Sequence, residues 1–133
     1  MVTTRQAQAI IAAGKARAEQ LGVSVNIAVL DAGTHLKAFC RMDHAVLGSI
    51  DLAIGKARTA ALFTIPSDAV WDYCRPGAPA PGLERSNGGL VTFPGGLPLK
   101  ARDGTTIGAV GVSGGAVPQD LAIAEAALAA LTH

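Results

Sequence analysis

The chain has 133 residues, half of them apolar and 16% charged, with a formal net charge of +1. That length suits one domain and is too short for two of ordinary size. The scattered basic residues make no field for nucleic acid, and no run approaches the roughly 20 apolar residues of a membrane span.

Aromatic residues make up only 4% of the chain, so alanine, glycine, valine and isoleucine fill the core and imply closely approaching elements. A small chain this apolar cannot hide all of that surface by itself, and homo-oligomerisation is expected; the alternative is a monomer with an alanine-rich skin. Cys40 and Cys74 form no CxxC pair, so a reduced, intracellular chain is expected. Residues 1–6 lack a basic start followed by an apolar core, which points to a cytoplasmic protein without a signal peptide.

In chain order, Thr3 and Gln6 have the spacing of a capping box. Ala7, Ile10, Ile11, Gly14, Ala18 and Leu21 follow with helical periodicity, and Gly22 supplies a stop. Residues 23–30 alternate as a half-buried strand, residues 31–34 make a turn, and residues 35–42 return as a second strand. On that strand Leu36, Ala38, Cys40 and Met42 share one face, and His35, Lys37, Phe39 and Arg41 the other. Ile50, Ala53, Ile54, Ala57, Ala60 and Ala61 form a second helical stripe, ending before Pro66. Ser67 caps a short helix carrying Val70, Trp71 and Tyr73.

Residues 75–89 hold three prolines and four glycines and read as a functional or mobile loop. Short strands are expected at 90–93 and 97–100. Asp103-Gly104 signals a hairpin, and residues 106–113 form a strand thinned by glycine. Pro118 opens a closing helix striped by Leu121, Ala124, Ala127, Leu128 and Leu131. The sum is a single α+β domain over residues 1–133, with an antiparallel five-stranded sheet flanked by helices.

Two groups of residues carry a resemblance over nearly the whole chain. The first is Asp31-Ala32-Gly33, Arg41-Met42-Asp43-His44-Ala45, Ser49 to Ala53, and Lys56 to Ala60. The second is Phe93 to Leu99, Ile107 to Gly115, and Asp120. In these the chain resembles the GlcG/HbpS family of haem-degrading-like proteins. That resemblance implies a profilin-like sheet, assembly into tetramers or octamers, and haem as the leading ligand. Members often carry glycine where this chain has His44, and an imidazole there is open to service as haem axial ligand, metal ligand, general base or mere surface substitution.

Under the haem reading His44 donates to iron, Lys56, Arg58 and Arg75 pair with propionates, and Tyr73 and Cys74 are further possible ligands. The alternative is a cofactor-free lyase or isomerase acting on a small carboxylated aromatic or hydroxy acid. There Arg41 and Lys56 bind the carboxylate, Asp43 and His44 do acid–base work, and loop 75–89 closes the site. Lys56 joins Asp43 and His44 in the candidate catalytic set. Ser49, Asp51, Arg58, Tyr73, Arg75 and Ser113 complete the candidate ligand contacts, with Ser113-Gly114-Gly115 placed to hold an anion at a helix amino terminus. A competing structural reading makes Arg41, Asp43 and Asp51 an ion-paired cluster at the strand-to-helix turn. Three scattered histidines suit no dedicated zinc or di-iron site, with His35 exposed and His133 frayed. Cys40 reads as core, and Cys74 as the more accessible thiol.

Overall fold

A computed structural model describes residues 1–132; His133, expected to fray, lies outside the described residues. Helix α1 spans Thr4–Leu21, strand β1 Asn26–Asp31, β2 Leu36–Arg41, α2 Gly48–Phe63 and α3 Ser67–Cys74. After a 3-10 turn at Leu83–Arg85 come β3 at Gly96–Lys100, β4 at Thr106–Ser113 and α4 at Val117–Ala129. The strands form one antiparallel sheet in the order β2-β1-β4-β3.

Local signals account for both ends of α1, whereas α2, α3 and α4 begin without a side-chain cap bond; the Ser67 cap expected for α3 is not made, because its hydroxyl donates to Phe93 O instead. Gln6 N–H donates to Thr3 Oγ1 (3.1 Å) and Thr3 N–H to Gln6 Oε1 (2.8 Å), a reciprocal pair that satisfies free donors at the α1 start. Gly22 ends α1 at φ +70°, a backbone that glycine adopts without a Cβ clash.

The α+β class holds, but among the described residues the sheet has four strands rather than five. Val91 and Phe93 spend backbone groups on helix side chains instead of on a neighbouring strand. Val91 N–H donates to Thr59 Oγ1 on α2 (3.0 Å), and Phe93 C=O accepts from Ser67 Oγ on α3 (2.7 Å). The segment therefore straps the helices to the sheet's margin.

Side-chain alternation divides the sheet into two faces. Ile27, Val29, Val110 and Val112 pack with Ile10, Ile123 and Ala127 of α1 and α4. Leu30 and Ala109 pack on the other face with Ala57, Ala60 and Ala61 of α2. On that second face the approach is close enough to require glycine: a Cβ on Gly111 would collide with Ala53 O and lie 2.7 Å from Ala57 N. No helix among the described residues is long and apolar enough to cross a membrane.

Loop 75–89 is more ordered than its composition suggests. Successive turns fold it on itself, and it is tied back by Ala80 N–H to Tyr73 O and Leu90 N–H to Glu84 O, each at 2.8 Å. The expectation for the cysteines is reversed, since Cys74 is buried under this loop and Cys40 is partly exposed. Burial pushes the Cys74 thiol above its ordinary pKa, with neighbouring Glu84 adding to the effect.

Candidate functional site

The site is built at the end of β2. Antiparallel register sets Arg41 opposite Asn26, and Asn26 opposite Ser113, so the three form one row across the sheet. Paired residues share a face, and this row lies on the side covered by α2. Asn26 is fully buried; its Nδ2 donates to Val46 O (3.2 Å), while its Oδ1 has no partner among the described residues. Ser113 and, on the first turn of α2, Ser49 are buried as well.

Beyond Arg41 the chain loops to α2. Met42 fastens the loop to β1: its N–H donates to Val25 O (3.1 Å) and its sulfur accepts from Val25 N–H (3.5 Å). His44 follows with φ +69°, a left-handed backbone costly for a residue with a Cβ. Glycine would adopt this backbone without that cost. The His44 side chain is exposed, and no hydrogen bond to it is found among the described residues. Arg41, Met42, Asp43, His44, Ala45 and Leu47 line an open cavity of about 500 Å³.

Among the described residues the ion pairs are His35–Asp31 and Lys56–Asp120. The expected cluster of Arg41, Asp43 and Asp51 is therefore not formed; Arg41 and Asp43 flank the cavity without neutralising each other. Asp51 and Arg58 line a separate groove of about 460 Å³ between α2 and Gly88–Val91. Arg58 Nη1 reaches Gly89 O at 3.5 Å. Tyr73 borders a third hollow with Phe63, Ile65, Val70 and Leu83, and Arg75 is exposed at the end of α3. Thus Arg41, Asp43 and His44 converge, whereas Asp51, Arg58, Tyr73 and Arg75 are dispersed.

Lys56 is placed quite differently from expectation. It has no exposed surface, and its ammonium donates to Val112 O on β4 (2.8 Å) and to Asp120 Oδ2 on α4 (3.2 Å). The Phe93 ring centre lies 4.9 Å from the same Nζ. The second Asp120 oxygen accepts Gly115 N–H (2.9 Å). Burial lowers the Lys56 pKa and raises that of Asp120, each opposed by the partner's charge. So enclosed, Lys56 offers no surface to a substrate or a propionate, and it leaves the candidate ligand and catalytic set.

Sequence reasoning missed Asn26, which holds Val46 behind the cavity, and saw Asp120 without its partner. An asparagine in the otherwise apolar run 25–30 was the available signal for Asn26. Nothing local joins residues 56 and 120.

The model of the HbpS-like family, described as haem degrading protein HbpS-like, matches residues 2–129. An uncharacterised 15.0 kDa protein of Citrobacter freundii, from the dhaT-dhaS intergenic region, is 39% identical over 128 residues, 96% of this chain and 89% of that one. The crystal structure of a PduOC:heme complex superposes with a TM-score of 0.92 at 39% identity, covering 98% of this chain and 95% of that one. A doubly substituted HbpS from Streptomyces reticuli gives a TM-score of 0.90 at 30% identity, covering 99% and 88%.

Proposed function

We propose that this chain, which belongs to the HbpS-like family of haem-degrading proteins, binds haem at the Arg41–Leu47 cavity with His44 as axial donor. The observation that carries the reading is an exposed imidazole and an unpaired guanidinium on one cavity of about 500 Å³. That volume lies within the range of small-molecule sites.

The lining fits the group. A haem needs an axial donor, an apolar wall and a cation for its propionates. His44 supplies the nitrogen, and Met42, Ala45 and Leu47 the wall. The Arg41 fork matches a carboxylate through two parallel hydrogen bonds. Val46 and Leu47, 62% and 68% exposed, add apolar surface that a porphyrin would remove from water. Bound haem would supply iron-centred ligand and redox chemistry. The left-handed backbone at residue 44 sets where the imidazole is presented, and the Met42–Val25 bonds hold the loop behind it. Self-association into a tetramer or octamer in the cytoplasm belongs to the same proposal. Sedimentation with and without haem reads the assembly.

The test is a haem titration followed by absorbance, on the wild type and on His44→Ala. A saturable, shifted Soret band that disappears in His44→Ala while circular dichroism stays native is the expected result. A band unchanged in the variant, or no saturable band at micromolar haem, would overturn the assignment.

A further inference from the structure

A second recess, sharing no residue with the Arg41–Leu47 cavity, combines aromatic surface with a carboxylate. Asp68, Trp71, Thr92, Phe93 and Pro94 line a hollow of about 380 Å³. The chain has one tryptophan, one tyrosine and three phenylalanines, and two of these five meet here. Trp71 is 41% and Phe93 40% exposed.

The arrangement follows from α3 and the strap. Asp68 and Trp71 are three residues apart on α3, a spacing that sets them on one helix face. Ser67 Oγ fixes the strap beside that face by donating to Phe93 O (2.7 Å) and accepting from Gly96 N–H (3.0 Å). The carboxylate of Asp68 has no ion-pair partner among the described residues. Lys56 sits beneath Phe93, but Asp120 neutralises its charge, so the recess keeps the sign of Asp68. Phe93 is already engaged by that ammonium, which makes Trp71 the stronger wall for a second cation.

From this juxtaposition we infer that the recess binds a small organic cation, a free alkylammonium compound whose charged head lies against Trp71 and beside Asp68. The π-face of tryptophan attracts cations more strongly than any other aromatic side chain, and a carboxylate lining the same recess adds opposite charge. An alkylated ammonium suits such walls because it can shed its water at lower cost than a bare ammonium. A volume of about 380 Å³ admits a small free cation whole, which favours a free ligand over a headgroup fixed in a lipid surface.

Trp71 is the sole tryptophan, so its fluorescence reports on this recess and nowhere else. The probes are tetramethylammonium and choline, set against the uncharged carbon analogue of choline and against sodium chloride at matched ionic strength. Expected is a saturable change with both cations and none with the two controls. Asp68→Asn, verified as folded by thermal melting, should raise the half-saturating concentration about tenfold. An equal response to the uncharged analogue would mean an apolar slot and overturn the inference. So would an unchanged midpoint in Asp68→Asn, or no saturable response at all. A response to phosphatidylcholine vesicles with none to free choline would assign the recess to a membrane headgroup and overturn the free-ligand reading.

Discussion

Replacing Asp120 by Asn keeps the shape of the side chain and its acceptor for Gly115 N–H, but strips the charge facing Lys56. The pair is separated by 3.2 Å with both partners buried, a gross attraction of about 5 kcal/mol at an effective dielectric near 20. The folded state then retains an ammonium with only Val112 O and the Phe93 ring for company. Breaking a buried pair from one side costs about 3–5 kcal/mol, so Asp120→Asn should lose about 3, the low end because the amide still accepts from Gly115. For a domain of this size that is a fall of roughly 10–15 °C in Tm. Lys56→Met should lose a similar amount, because it leaves a buried carboxylate.

The double variant removes both charges and should lie within about 1 kcal/mol of wild type, a coupling of several kcal/mol in the urea cycle. The pH dependence has a definite sign. Without Asp120 the Lys56 pKa falls further below its ordinary 10.5, so the unfolded chain binds more protons and stability rises with pH. The deficit of Asp120→Asn should therefore shrink between neutrality and about pH 10 as the trapped amine is freed to be neutral. Equal urea midpoints for wild type and Asp120→Asn, or single-variant losses that simply add in the double variant, would refute this account of the pair.

Three other outcomes follow from the geometry. His44→Gly should raise stability by about 1 kcal/mol in a thermal melt, because glycine takes φ +69° without strain, while abolishing the haem band. Gly111→Ala should cost about 3 kcal/mol or prevent soluble expression, since a methyl there meets the α2 backbone at Ala53 O and Ala57 N. Asp31 is held below its ordinary 3.8 by the His35 backbone N–H first, then by Gly33 N–H and the His35 ring. A depressed carboxyl stabilises above its unfolded pKa and loses that contribution as pH falls through the folded one. Melts below pH 4 should accordingly show a shallower acid decline for Asp31→Ala than for wild type.

What the sequence made legible was whatever is decided locally. Thr3 with Gln6 and the Gly22 stop each carry their own physical cause within a few residues, and both appear in the structure. The alternation in 23–30 predicts a half-buried strand, but β1 is buried on both faces because helices cover both sides of the sheet. The strap at 90–93 misled because Leu-Val-Thr-Phe has strand composition, whereas its hydrogen-bond partners Thr59 and Ser67 lie 32 and 26 residues away. Lys56 misled for a related reason. A lysine in an alanine-rich helix reads as a free cation until a carboxylate 64 residues distant is brought to it. The cavity was legible through Arg41, Asp43 and His44 because five residues in a row suffice to build most of its wall. Asn26 entered only through sheet register, which no local pattern reveals.

The buried pair and the candidate haem cavity meet in one element. Helix α2 begins where the cavity ends, at Leu47 and Gly48, and two turns later carries Lys56. Its amino terminus has no side-chain cap, and where it borders the site the first turn is held by backbone bonds from Ser49 N–H to Val46 O (3.0 Å) and Ile50 N–H to Leu47 O (3.1 Å). What fixes the helix against the sheet is the Gly111 approach and the Lys56 contacts to β4 and α4. A left-handed residue such as His44 persists only when its surroundings over-determine it. Loosening α2 through Asp120→Asn should therefore weaken haem binding at a distance, with no haem contact removed. Lys56→Met combined with Asp120→Asn should restore it, which separates anchoring of the helix from any direct part for Asp120 at the site.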